Sequence, residues 1–214
     1  SIETYRQDFP YVGALASRER QQSTGTRLAY TANTWATLSY GTGYATRSYP
    51  YITSSSTDEH EAGGTQNGVR WRSVVTSVAA VDATSGLVTD ATTTTTERAT
   101  GLFTGSFRTE RVQYTGVLND TANWCLGRPT ATQVTASHTL ANGGAITRSE
   151  DASWDGPNCR PTQQRLEPGH PTLQVTVGLG YDSFGNLASR SVTGVGMAAR
   201  TTGFNWGTDG RFLT

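Results

Sequence analysis

Between residues 173 and 181 apolar and polar positions alternate. Leu173, Val175, Val177 and Leu179 fall on one side, and Gln174, Thr176 and Gly178 on the other. A period of two over this length predicts a half-buried β-strand. Tyr181-Asp182-Ser183-Phe184-Gly185-Asn186 then breaks the pattern. The Asp182 carboxylate can fold back onto nearby backbone N–H groups, and Gly185-Asn186 supplies residue types that tolerate positive φ. Leu187 opens a second predicted strand, through residue 192. One such hairpin cannot bury its apolar side alone, so neighbours of the same kind are expected.

Degraded copies of this order occur elsewhere. Val81-Asp82-Ala83-Thr84-Ser85-Gly86-Leu87 repeats apolar, Asp, spacers, Gly, Leu. Trp154-Asp155-Gly156-Pro157-Asn158 keeps the aromatic–Asp pair, and the stretch from Phe204 ends on Asp209-Gly210-Arg211. The last three copies start roughly 25 residues apart, within the range of repeat architectures. The alternative is unrelated hairpins whose turns simply favour Asp and Gly. Further strands are predicted over residues 11–15, 27–32, 35–40 and 45–54, then 69–80, 86–97 and 106–117. Residues 119–123 form a polar connector, read as a short helical turn capped by Asp120. Residues 1–66 are thus a β-rich segment leading into degenerate hairpins over 67–214, with no linker biased enough to separate domains. Trp71, Trp124, Trp154, Tyr181 and Phe204 are candidates for an aromatic ladder between hairpins, or each packs in its own pocket.

The unit at Tyr181 resembles the repeat of the RHS or YD-repeat proteins, the group that includes the B and C components of bacterial insecticidal toxin complexes. Tyr5-Arg6-Gln7-Asp8-Phe9-Pro10-Tyr11, Thr31-Ala32-Asn33-Thr34-Trp35, Tyr49-Pro50-Tyr51, Trp124-Cys125-Leu126-Gly127-Arg128-Pro129-Thr130 and Gly210-Arg211-Phe212-Leu213-Thr214 resemble phrases just before and within that array. The resemblance implies an all-β fold of stacked antiparallel hairpins, forming a curved, shell-like sheet that encloses a toxic C-terminal domain until delivery. It also implies a secreted or cell-surface bacterial protein. Its partners would be the rest of the parent chain, the enclosed toxin domain and other toxin-complex subunits. The family's self-cleaving core, with its Asp-Pro-x-Gly-Trp phrase, has no counterpart here, and neither do the calcium loops of an upstream propeller. The expected piece is a middle slice of shell wall. The chain begins at Ser1 without Met and within repeat-like sequence. It is therefore expected to be part of a larger protein, with strand edges open at both ends.

Composition narrows the classes further. Hydrophobic residues make up 35% of the 214, with 24 glycines, low for an enzyme core, while threonine suits a pleated surface. The run Thr92-Thr93-Thr94-Thr95-Thr96 places hydroxyls on both faces of a strand, as a wall wetted on two sides requires. All 17 basic residues are arginine and balance 17 acids, so no basic footprint for nucleic acid exists. Cross-strand pairing with Asp and Glu is the expected use of the arginines; Arg70 and Arg72 facing acidic cargo in a cavity is the alternative. No apolar run approaches the ~18 residues of a membrane span.

Candidate chemistry is sparse. Cys125 and Cys159 each precede an Arg-Pro-Thr phrase at slightly different offsets. Successive hairpins would bring them near enough for a disulfide; two buried thiols are the alternative. His60, in Asp58-Glu59-His60-Glu61, reads as a solvated turn, His138 as part of a strand and His170 as part of a turn. None neighbours a nucleophile in a strained setting. Glu150 and Asp151, adjacent on a strand, face opposite sides and cannot share a proton. No catalytic, metal or cofactor site is expected. A second reading is a surface module in which Trp35, Tyr44, Tyr49 and Tyr51, with Tyr40 beside them, grip carbohydrate or a receptor.

Overall fold

Asp182 closes a tight turn in the computed structural model, which describes residues 1–97, 107–139 and 143–214. Its Oδ1 accepts the N–H groups of Phe184 at 2.9 Å and Asn186 at 2.8 Å, while Gly185 takes φ 90°. The same device, strand then Asp-led turn then strand, recurs at Asp82, Asp120 and Asp155. The described residues form thirteen strands: β1 Ile2–Tyr5, β2 Leu15–Gln21, β3 Arg27–Tyr40, β4 Arg47–His60, β5 Arg70–Val81, β6 Val88–Glu97 and β7 Phe107–Asp120. They continue as β8 Cys125–His138, β9 Ile146–Asp155, β10 Arg160–Leu166, β11 Val175–Tyr181, β12 Leu187–Gly194 and β13 Met197–Gly203. They form one sheet in sequence order, β1 to β13, without closing. The expected all-β meander of stacked antiparallel hairpins is therefore what the chain adopts. Among the described residues Cys125 alone is fully buried, because each strand has neighbours in the sheet plane and little above or below it.

Two compact units emerge, the first Ser1–Val112 with Thr135–Ile146, the second Gln113–Val134 with Thr147–Thr214. In the first, Thr92, Thr94 and Thr96 lie opposite Ser77, Val75 and Ser73, while Thr93 and Thr95 lie opposite Thr76 and Val74. Hydroxyls therefore line both faces, and Thr76–Thr93 and Thr31–Thr57 approach at 3.0 Å between Oγ1 atoms. Arginines answer carboxylates across strands: Arg70–Asp58 at 3.1 Å, Arg72–Glu59 at 3.4 Å, Arg111–Asp90 at 2.5 Å. Each such wet pair contributes at most about 1 kcal/mol. Arg70 and Arg72 are thus engaged by β4.

Several predicted boundaries are corrected here. Residues 27–32 and 35–40 join as one strand, because a bulge at Thr34/Trp35 absorbs the break in alternation. The strand expected over 45–54 runs on to His60, so His60 ends a strand instead of lying in a solvated turn. The acids beside it are neutralised by Arg70 and Arg72, which allows Asp58 and Glu59 to stay in the sheet. Residues 11–14 are turn, held by Tyr11 N–H to Asp8 O at 2.8 Å and Ala14 N–H to Tyr11 O at 2.8 Å, with Gly13 at φ 81°. The 119–123 connector contains no helix: β7 reaches Asp120, whose Oδ1 accepts the Ala122 and Asn123 N–H groups at 3.0 and 3.1 Å, and β8 resumes at Cys125. Ser106, the predicted start of one strand, lies outside the described residues.

The second unit is amphipathic. On β11, Val175, Val177 and Leu179 share a face with Leu166 and Gln164 of β10 and with Val192 and Arg190 of β12. Thr176, Gly178 and Gly180 share the other with Arg165, Thr193, Ser191 and Ser189. That is the alternation read from the sequence, except that β11 begins at Val175 and Leu173 and Gln174 precede the strand.

Turn glycines also serve close approach. Gly86 has φ 75°, and a Cβ added there would stand 2.9 Å from the Tyr49 ring. Replacing Gly86 by Ala is expected to cost about 2 kcal/mol, from left-handed backbone plus displacement of a rigid ring. Gly203→Ala, with open space and ordinary φ, should stay within about 0.5 kcal/mol of the parent. Urea denaturation of both checks this, and equal midpoints would refute it.

Candidate functional site

Aromatic side chains pin one hairpin to the next. Trp154 Nε1 donates to Pro129 O at 2.8 Å, Tyr181 OH to Pro161 O at 2.8 Å, and Trp206 Nε1 to Leu187 O at 2.9 Å. In the first unit Trp35 Nε1 donates to Leu15 O at 3.0 Å. Arg128 and Arg160, which precede the accepting prolines, lie over the Trp154 and Tyr181 rings at 5.5 and 4.9 Å from the centroids. Pro161 lies at a bulge in β10, where a missing ladder donor is tolerated. The aromatic of the aromatic–Asp pair is therefore a donor to the carbonyl behind it, and the Asp shapes the turn that follows. Phe204 and Trp124 do not share this arrangement. Trp124 is 80% exposed in a turn at φ 55°, Trp71 occupies the bulge opposite Glu59/His60, and Trp206 is the donor beyond β13. The indoles of Trp35 and Trp206 lie 20 and 19 residues beyond the carbonyls that accept from them, so no short motif marks either as a pin.

The turns carry the remaining sequence-marked residues. Asp82 Oδ1 accepts Ser85 N–H at 2.7 Å and its hydroxyl at 2.6 Å. Asp155 Oδ2 accepts the Asn158 amide at 2.5 Å. Asn186 reaches the following turn, donating to Gly210 O at 2.7 Å, while the Phe184 ring lies against Gly210 so closely that a Cβ would stand 2.5 Å from Cγ. Leu187 begins β12 and offers its carbonyl to Trp206. Cys125 and Cys159 are bonded, with Cα atoms 5.4 Å apart, and tie the starts of β8 and β10 within the second unit. Trp124 and Cys159 have matching φ of 55° and 57°, so the two Asp-led turns are equivalent, offset by one residue relative to their cysteines.

Burial pushes the Asp182 carboxyl up and is its largest single influence. The Asn186 N–H and side-chain amide, with the Phe184 and Gly185 N–H groups, outweigh it and hold the carboxyl below its ordinary range. Asp120 is lowered by the Asn123 side chain first and then by backbone N–H groups. Glu19 falls from 4.5 to about 2 through hydrogen bonds from Arg27 and Gln21. Folded values below unfolded ones mean stability that is complete above the unfolded pKa and lost as pH falls through the folded one. Melting temperature should therefore decline from pH 4.5 toward about 2. Asp182→Asn should melt lower at neutral pH and lose less on acidification; an unchanged acid slope in that variant would exclude Asp182 as a contributor.

The tyrosine-rich stretch divides between the two faces. Leu38 opposes Tyr49, Ala36 opposes Tyr51 and Tyr40 opposes Arg47, so the three tyrosines share one face. Trp35 opposes Ile52 and lies on the other face. Tyr44 is fully exposed in the 3-10 turn Gly43–Ala45. His138 closes β8, and His170 Nδ1 accepts the Thr172 and Leu173 N–H groups at 3.3 and 3.2 Å, a turn-shaping role. No helix among the described residues is long and apolar enough to cross a membrane.

Neither a family model nor a curated protein matches the sequence. The architecture nevertheless has a solved counterpart, and it is an RHS-like fold. The crystal structure of TcdB2-TccC3 superposes with a TM-score of 0.65 over 95% of this chain, at 7% sequence identity. This chain spans 14% of the length of that one. At such identity the likeness is one of fold.

Proposed function

We propose that this chain is a stretch of wall in an RHS-type shell that encloses and helps deliver a toxic C-terminal domain, and that its own role is mechanical. The observation that carries this reading is the open meander of pinned hairpins superposing on TcdB2-TccC3. A wall of this kind needs strands that join in sequence without a second layer, and aromatic pins that transmit order from hairpin to hairpin. It also needs faces that tolerate water, and the threonine rows of the first unit supply these. On this reading the partners are the rest of a longer parent chain, the enclosed domain and other toxin-complex subunits, in a protein secreted by or displayed on a bacterium. The test is the intact mass and terminal peptides of the protein from its own cells. A much longer chain with further hairpins is the expected result; a native chain ending at Thr214 would overturn the reading.

A surface-binding module is the second reading, favoured by the tyrosine face of Tyr40, Tyr49 and Tyr51 and the projecting Tyr44. Glycan-array binding abolished by Tyr49→Ala and Tyr51→Ala would support it, and binding that survives both would refute it.

A further inference from the structure

At one end of the apolar face of the second unit lies an open groove of about 400 Å³. The register sets Glu150 of β9, Leu166 of β10 and Val175 of β11 in one row across its floor. Leu173 flanks them, and it and Leu166 are each nearly half exposed. Arg148 and Glu167 border the groove and answer each other, with Nη1 and Oε1 3.2 Å apart. Glu150 has no ion pair or side-chain hydrogen bond among the described residues. The groove thus holds one uncompensated negative charge, half withdrawn from water and set beside exposed leucines. A carboxylate so placed loses hydration without gaining a partner, and a cation arriving on an aliphatic stem would relieve both deficits at once.

We propose that this groove holds an extended polypeptide segment with an aliphatic side chain next to a lysine or arginine, contributed by the chain that the wall encloses. The site rests on the shell reading for the source of the segment and on its own charge and shape for the chemistry. Its volume is at the low end of small-ligand sites, room for two or three side chains and too little for the surface of a folded domain. A second copy of this chain is a poor occupant, because many of its arginines, Arg18, Arg27, Arg111 and Arg165 among them, are already paired with acids. An acidic segment would meet Glu150 with like charge and be rejected.

The experiment uses the full chain, labelled for amide NMR, titrated with acetyl-Ala-Leu-Lys-Ala-amide and with its glutamate counterpart. The lysine peptide is expected to shift the amides of Glu150, Leu166 and Val175 saturably at low-millimolar concentration, and the glutamate peptide to leave them in place. Glu150→Gln should weaken the lysine peptide about tenfold, and Glu150→Lys should reverse the preference between the two. The proposal is overturned by equal binding of both peptides, by shifts that map elsewhere, or by Glu150→Gln binding as the parent does. Shifts of the same amides on dilution of the protein alone would assign the groove to a second copy and likewise overturn it. None of these failures alters the length of the native chain, so the groove can fail while the shell reading stands, and a native chain ending at Thr214 would remove the source of the segment without changing the peptide result.

Discussion

Reduction of the Cys125–Cys159 bond is expected to lower the stability of the chain by about 4 kcal/mol, the largest single loss anticipated. The bonded residues are 34 positions apart in sequence, and the entropy restored to the unfolded chain on opening such a loop has that size. The location adds to the effect. Cys125 is the one fully buried side chain among the described residues, and Arg128 Nε lies 3.4 Å from Cys159 Sγ, so the bond also packs the turn against which Trp154 is anchored. For a chain of this length a loss of that magnitude corresponds to a fall in melting temperature of about 8 °C. Calorimetry of the protein with and without a thiol reductant, and of the double variant Cys125→Ala/Cys159→Ala, checks it. A double variant melting within about 2 °C of the oxidised parent would show that the cross-link constrains little.

Replacing Trp154 by Ala is expected to cost about 3 kcal/mol, toward the lower end of the range for large aromatics because the ring is half-buried. The side chain does three things at once. It covers part of the apolar face, it donates to Pro129 O at 2.8 Å, and it lies beneath the Arg128 guanidinium. Trp154→Phe separates these, because the ring stays and the N–H goes. Phe should lose about 1 kcal/mol, the net worth of a hydrogen bond whose acceptor is left unanswered. Chemical denaturation of the three proteins distinguishes the contributions. If Phe is as stable as Trp, the pin between hairpins is a packing contact alone; if Ala is as stable as Phe, it is a hydrogen bond alone.

The legible part of this molecule was the part written in short range. Asp182 with Gly185 and Asn186 announces its turn because the carboxylate, the N–H groups it satisfies and the positive-φ residue all lie within five positions. Residues 173–181 announce a strand with one apolar face because side-chain direction alternates with period two whatever the neighbours are. The threonine run was legible for the same reason. Failures fall where a distant strand decides. Asp58, Glu59 and His60 look like a polar turn until Arg70 and Arg72 stand opposite, and residues 27–40 look like two strands until a bulge joins them.

The candidate site divides along the same line. The aromatic–Asp order singled out Trp154 and Tyr181, yet nothing in it says that each donates to a carbonyl one hairpin back. Trp35 sits only a few positions from the tyrosines; alternation along β3 sets it opposite in face to Tyr40, and only the register of β3 against β4 does so for Tyr49 and Tyr51. Glu150 drew notice as half of an adjacent acidic pair. Its character as the unanswered charge in an apolar groove depends on Leu166 and Val175, brought alongside by strand pairing.

The sequence by itself determined the strand-and-turn grammar, the all-β class and the polarity of each strand's two faces, since these follow from local torsional preference and alternation. Tertiary structure alone decided which strands continue through polar stretches, which cysteines and carbonyls meet, and where an apolar floor keeps an unpaired carboxylate. Those outcomes depend on register, and register is set by pairing energies summed along whole strands from distant parts of the chain.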